Sequence, residues 1–226
     1  MFKLKITLCF ISVFILNTNL LAQSKNTDQI LNKVKANLND IKTYEVDVEL
    51  KVNLNFLKIP SKKGKIYFKA PNKFKFDAKG FAMLPKQAFV FTPDKLFPNE
   101  FKFEQLKDDT LNGKTCKVLV GKSESDSVRI KTSKIWVNSE NFTIMQIVNE
   151  TRVGVNYQIV VDYNKIDDFN LPKKIKLIIS STNELNTEDR RRNWRVPSEI
   201  TGTVIVTYSN YKVNKNMDET IFEKKN

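Results

Sequence analysis

Histidine is absent from this 226-residue chain, and cysteine (2), tryptophan (2) and glycine (6) are scarce. Without an imidazole there is no Ser-His-Asp or Cys-His nucleophilic site, no His-ligated zinc and no histidine general base. The glycines, at positions 64, 80, 113, 121, 154 and 202, include no pair with phosphate-loop spacing, which argues against nucleotide binding. Acidic residues are in deficit, 25 against 38 Lys plus Arg, and the formal charge is +13. Long hydrophobic runs are missing outside the N-terminus. What remains is a globular composition, 41% hydrophobic and 28% charged, of a length that suits one domain with a real core.

The first 22 residues have the pattern of a secretory signal peptide: Lys3 and Lys5, an apolar run from Leu8 to Leu16, and a small residue, Ala22, at a cleavable position. The run is too short to span a hydrocarbon core of about 30 Å. Cleavage near Ala22 leaves a soluble, exported chain, residues 23–226, as a single domain with a charge of +11, because the leader holds two Lys and no acid. Cys9 leaves with the leader, so Cys116 has no intramolecular partner and stability rests on packing. An unstapled exported domain, rich in Lys, Asn and Ile, points to a bacterial periplasm.

One helix opens the mature chain. Asn26 followed by Gln29 offers a capping pattern, and Ile30, Leu31, Val34, Leu38 and Ile41 recur at helical spacing opposite Lys33, Lys35, Asn37 and Asn39. From Tyr44 to Phe56 apolar and polar residues then alternate without a miss, which predicts a strand on the order of 40 Å long with one apolar face. Further strands are expected at Lys65–Lys69, Lys73–Asp77, Phe101–Leu106, Thr115–Val120, Val128–Val137, Phe142–Asn149, Val155–Tyr163, Lys173–Ser180 and Thr201–Tyr208. Turn signals such as Ala70-Pro71-Asn72, Asn112-Gly113 and Asp167-Asp168-Phe169-Asn170 separate them. The result is a mainly β, α+β chain: a curved antiparallel meander of about ten strands, covered on one face. Two stretches interrupt it. Gly80 to Pro98 is apolar but proline-dense, so it forms short helical turns and loop docked on an apolar surface. Ser181 to Glu199, with Arg190-Arg191-Arg192-Asn193-Trp194-Arg195, is an exposed loop.

The chemistry left by composition is thin. Asp108-Asp109 and Asp167-Asp168 are adjacent acids on turns, where neighbouring side chains diverge and nothing buries one of the pair. Cys116 sits on a strand without a base and reads as a buried, inert thiol. Lysines are scattered rather than clustered with stacking aromatics, so the basic surplus fits transient contact with an anionic membrane surface better than nucleic acid. The apolar face of the first long strand, with Val48, Leu50 and Val52, either fills a core or lines a ligand cavity.

In order along the chain, Gly64-Lys65-Ile66-Tyr67-Phe68-Lys69-Ala70-Pro71-Asn72-Lys73-Phe74-Lys75-Phe76, then Asp162-Tyr163-Asn164-Lys165-Ile166-Asp167-Asp168-Phe169-Asn170-Leu171-Pro172-Lys173-Lys174-Ile175, then Tyr208-Ser209-Asn210-Tyr211-Lys212-Val213-Asn214 resemble the motifs of LolA-like periplasmic lipoprotein carriers and outer-membrane lipoprotein-sorting proteins. The resemblance covers nearly all of the mature chain. It implies an incomplete antiparallel β-barrel whose open side is filled by the N-terminal helix and the short apolar segment, enclosing an apolar cavity for lipid or lipoprotein acyl chains. It implies a monomeric non-enzyme without metal or cofactor, partnered by inner- and outer-membrane lipoprotein-trafficking proteins. On that basis Val48, Leu50 and Val52 line the cavity, Phe81, Met83, Leu84, Phe89 and Phe91 form its cover, and Lys75 stands where the carriers have a functional arginine. An envelope sensor of the same fold, binding lipid or lipoprotein to regulate a partner, is the alternative reading.

Overall fold

The alternation folds as β1 (Thr43–Leu54), with Val46, Val48, Leu50 and Val52 each no more than 4% exposed; the strand stops short of the expected Phe56, which lies exposed in the turn that follows. The structure is a computed structural model that describes residues 26–77, 96–97, 99–181 and 199–223. The expected leader, the cover residues Phe81, Met83, Leu84, Phe89 and Phe91, and Arg190 to Arg195 lie outside the described residues.

After β1 come β2 (Leu57–Lys69), β3 (Lys73–Asp77), β4 (Phe101–Gln105), β5 (Asp109–Leu111), β6 (Lys114–Ser123), β7 (Ile130–Asn138), β8 (Ile144–Thr151), β9 (Val155–Ile166), β10 (Phe169–Ser181) and β11 (Gly202–Val213). They form one antiparallel sheet of eleven strands in the order β3-β2-β1-β11-β10-β9-β8-β7-β6-β4, with β5 paired to β6. The sheet is open: β3 is one edge, β4 and β5 share the other, and among the described residues no ladder closes it into a barrel. Most neighbours follow sequence order, as a meander requires. Two pairings depart from it: β4 lies on β6 rather than on β5, and β1 pairs with β11, which brings the two ends of the domain together.

Turn chemistry explains the connections. Asn112 and Gly113 have φ of 51° and 75°, the two positive angles that a tight turn between β5 and β6 needs. Asp167, at φ 51°, turns β9 into β10. Prolines within strands sit where the ladder is interrupted. Between the pairs Leu50↔Lys62 and Val52↔Ile59, Pro60 and Ser61 together oppose Lys51, a bulge in the part of β2 that β3 does not reach.

Helix α1, over residues 26–39, lies on one face of the sheet, here the inner face. Its Ile30 and Val34 are buried against Leu119 of β6, Ile135 and Val137 of β7 and Ile144 and Ile147 of β8, together with Phe97. Asn26, expected to cap the helix, is already inside it and donates its side-chain amide to Gln105 Oε1 at 2.6 Å. A second inner cluster joins Val46, Val48, Leu50 and Val52 to Ile66, Val161, Ile175, Val206 and Tyr208. All nine come from strands, so α1 covers only part of this face.

The expectation of a sheet buried on one face fails for β6–β8. Cys116, Val118, Trp136 and Met145 form a further buried cluster with β5 beside it, and Trp136 Nε1 donates to Asp109 Oδ2 at 3.0 Å. Burial pushes the Cys116 thiol up, as an inert core residue requires. Elsewhere the outer face is ionic: Glu45 bonds Lys65 at 2.6 Å and Lys212 at 3.2 Å, which holds its carboxyl below the usual range.

Candidate functional site

Between α1 and the sheet lies an apolar cavity of about 90 Å³. Val34, Leu38 and Ile41 form its roof, Val161 of β9 and Leu171 and Ile175 of β10 its floor, and Phe142 and Ile144 one wall. Spacing along α1 puts Val34 and Leu38 on one face of a helix with 3.6 residues per turn, and Ile41 follows just after the helix ends. An engineered cavity of about 150 Å³ holds one benzene ring, so this space takes part of an acyl chain and a whole chain needs the roof to yield. Asn37, Ile41, Thr143 and Asn170 belong both to the cavity lining and to a polar recess of about 390 Å³ that also includes Asp40 and Asp168. The cavity therefore has an apolar interior and a polar mouth.

The mouth is held shut by specific contacts. The Asn37 side chain donates to the carbonyl of Asn141 at 2.8 Å, and the Lys33 ammonium lies 4.3 Å from the Phe142 ring centroid. Phe142 itself has φ 53°, a strained angle for a bulky residue. At the end of α1, the Asn214 side chain accepts from the backbone of Lys42 at 2.7 Å and donates to the Asp40 carbonyl at 3.2 Å.

Four tyrosines make the opposite wall: Tyr44, Tyr163, Tyr208 and Tyr211. Tyr208 and Tyr211 stack at 6.2 Å, and Tyr44 meets Tyr211 edge-on at 6.1 Å and stacks on Phe68 at 5.0 Å. Tyr163 donates to the Ile144 carbonyl at 2.9 Å and Tyr211 to the Pro172 carbonyl at 2.8 Å. Tyr208, 7% exposed, has a buried hydroxyl with no hydrogen-bond partner among the described residues. Burial holds all four phenols above their usual range. No group of three or more His, Cys, Asp or Glu among the described residues is placed to hold a metal ion.

Neither a family model nor a curated protein matches the chain. Solved structures do. A protein domain from Vibrio parahaemolyticus described as outer-membrane lipoprotein-sorting superposes with a TM-score of 0.59 at 9% identity, covering 88% of this chain and 97% of that one. A DUF1329 family protein from Desulfovibrio piger gives 0.60 at 11% identity over 89% and 97%. A LolA superfamily protein from Nitrosomonas europaea gives 0.50 at 14% identity over 88% and 97%. The fold is LolA-like.

On this LolA-like sheet the residues singled out from sequence divide into three groups. Val48, Leu50 and Val52 lie together in the strand-built inner cluster, next to the tyrosine wall rather than in the lining of the cavity itself. The five cover residues lie outside the described residues. Lys75 pairs with Tyr67, while its neighbours Phe74 and Phe76 pair with Phe68 and Ile66 and pack on the inner cluster. Alternation thus puts Lys75 on the outer face, away from the cavity. The tyrosine wall was not singled out. Tyr44 was visible as the first member of the apolar alternation. Tyr211 was not, because strict period 2 from Val204, Val206 and Tyr208 assigns it to the other face. Asn210, at φ 56°, sits in a bulge where Asn210 and Tyr211 together oppose Val46, and this swings Tyr211 inward.

Proposed function

We propose that the protein is a periplasmic carrier that binds the acyl chains of lipid or lipoprotein on the inner face of its sheet. The observation that carries this reading is an apolar cavity with a polar mouth between α1 and the sheet. Beside it, the strand-built cluster around Val48, Leu50 and Val52 receives no residue of α1. An acyl chain gains about 0.8 kcal/mol per buried methylene, so a dozen methylenes offset a substantial opening cost. The fold it shares with a domain described as lipoprotein-sorting supports the same reading at the level of architecture. The sequence pattern of residues 1–22 supports export, and Phe81, Met83, Leu84, Phe89 and Phe91 are the proposed cover of the same face.

No catalytic step is required. The chain has no histidine, and the Asp108-Asp109 pair is spent on separate partners, Asp108 on Lys117 at 2.6 Å and Asp109 on Trp136. Native mass spectrometry of protein purified from the periplasm, followed by organic extraction of its cargo, tests the proposal. A stoichiometric acyl lipid is the expected result. A protein that is empty, and that acquires no acyl lipid when mixed with detergent-free lipid, would count against the carrier.

A further inference from the structure

The Tyr208 hydroxyl is a buried donor without an acceptor, beside two wall tyrosines whose hydroxyls have one. Its neighbours Tyr163 and Tyr211 spend their hydroxyls on backbone carbonyls. Tyr208, 93% buried by its exposure of 7%, has no such outlet among the described residues. A buried hydroxyl left unmatched is costly, and folded proteins leave few of them, so a persistent one needs a reason. Desolvation keeps this phenol protonated at neutral pH, which makes it a donor there.

Its position says which acceptor fits. Tyr208 belongs at once to the cavity lining and to the strand-built cluster with Val48 and Leu50. From the mouth inward the order is therefore polar recess, cavity, tyrosine wall, apolar strands. An acyl lipid fits this as a carbonyl at the tyrosine wall, a methylene chain on the apolar strands and any larger head group toward the mouth. Building on the carrier reading above, we propose that the ligand lies with its carbonyl end in the cavity and its chain toward Val48 and Leu50, and that Tyr208 donates a hydrogen bond to the acyl carbonyl oxygen. The hydroxyl is buried in this structure, so the carbonyl reaches it as the cavity opens to the chain.

The shared chemistry is a carbonyl at the head of an alkyl chain, whether free carboxyl or ester. Binding of dodecanoic acid, methyl dodecanoate and dodecane to the full mature chain, read by displacement of an apolar fluorophore, separates these. Tyr208→Phe is expected to weaken the carbonyl ligands about 3- to 10-fold, the range of one neutral hydrogen bond, and to leave dodecane unchanged. Loss for the acid alone assigns a free carboxyl, and loss for both assigns the ester carbonyl as well. Infrared spectra of methyl dodecanoate with an isotope-labelled carbonyl, bound to the unmodified protein, give a second readout that needs no variant. The band is expected at lower wavenumber than in hexane. Equal affinities of both proteins for all three probes, or a band at its hexane position, would overturn the Tyr208 contact and leave the carrier standing. Failure of every probe to bind the unmodified protein overturns both.

Discussion

Leu50 is 2% exposed in the middle of β1, whereas Asn53 on the same strand is exposed. Leu50→Asp strands an unpaired carboxylate in the inner cluster and is expected to cost about 3–5 kcal/mol, which a denaturant melt reads as a large drop in midpoint or as failure to fold. Asn53→Ile should stay within about 0.5 kcal/mol. Asn55 is different, although the alternation puts it on the same polar side. Its side chain donates to the Glu199 carbonyl at 2.8 Å and accepts from the Thr201 backbone at 3.3 Å, tying the β1–β2 turn to the start of β11. Asn55→Ile is expected to cost about 0.5–1.5 kcal/mol in the same melt, because two backbone groups exchange their partner for water. Period 2 thus tells which side a residue is on and nothing about what it meets there. That is why the buried face of β1 was legible in the sequence and the role of Asn55 was not. Tyr211 marks the stricter limit, since one bulge at Asn210 inverts the parity on which the reading depends.

Among the elements, the contact between β1 and β11 joins the strands farthest apart in sequence, and a glycine makes it possible. Gly202 has φ 143°, and a Cβ there would sit 2.2 Å from the Asn53 carbonyl oxygen. Gly202→Ala therefore meets both backbone strain and a clash with backbone, and is expected to cost at least about 1–3 kcal/mol. Faster amide exchange should follow first in residues 50–54 and 202–206, and unchanged exchange there would contradict the close approach. A second tie holds the C-terminal 3₁₀ turn, Glu219–Phe222, whose Glu219 pairs with Lys69 and Lys73 on β2 and β3. The two ammonium groups lower the Glu219 carboxyl from the usual 4.5 to about 2. A carboxyl whose folded pKa lies below its unfolded value adds stability above the unfolded pKa and loses it as pH falls toward the folded one. The turn is therefore expected to stay docked at neutral pH and to release as the pH drops from about 4.5 to about 2. Chemical shifts of Phe222 followed through an acid titration check this, and Glu219→Gln should remove most of the dependence, leaving that of Asp218, which accepts from the Thr220 backbone N–H at 2.9 Å.

At the scale of the whole molecule, strand number, antiparallel order and the N-terminal helix were largely readable from alternation, turn residues and helical spacing. The cavity was not, because it depends on how α1 sits across β9, β10, β1 and β11, and pairing across the chain leaves no local mark. That arrangement makes α1 the roof that must yield, since about 90 Å³ is too little for a whole acyl chain. Its ties at the mouth are few: the Asn37 amide on the Asn141 carbonyl at 2.8 Å, a longer contact to the Phe142 carbonyl at 3.4 Å, and the Lys33 ammonium over the Phe142 ring. Asn37 is exposed, and Ala is the best helix former, so Asn37→Ala removes the tie while favouring the helix itself. Its effect on global stability should stay within about 1 kcal/mol. The Ile30 and Val34 contacts at the other end remain, so the helix pivots rather than detaches. If ligand enters under α1 at this mouth, Asn37→Ala should raise the association rate of dodecanoate several-fold in stopped-flow measurements and shift the equilibrium affinity less. Amides of residues 37–42 should exchange faster in the free variant and regain protection with dodecanoate bound. An association rate equal to that of the unmodified protein would place the entrance elsewhere on the inner face, along the strands that carry Val48 and Leu50.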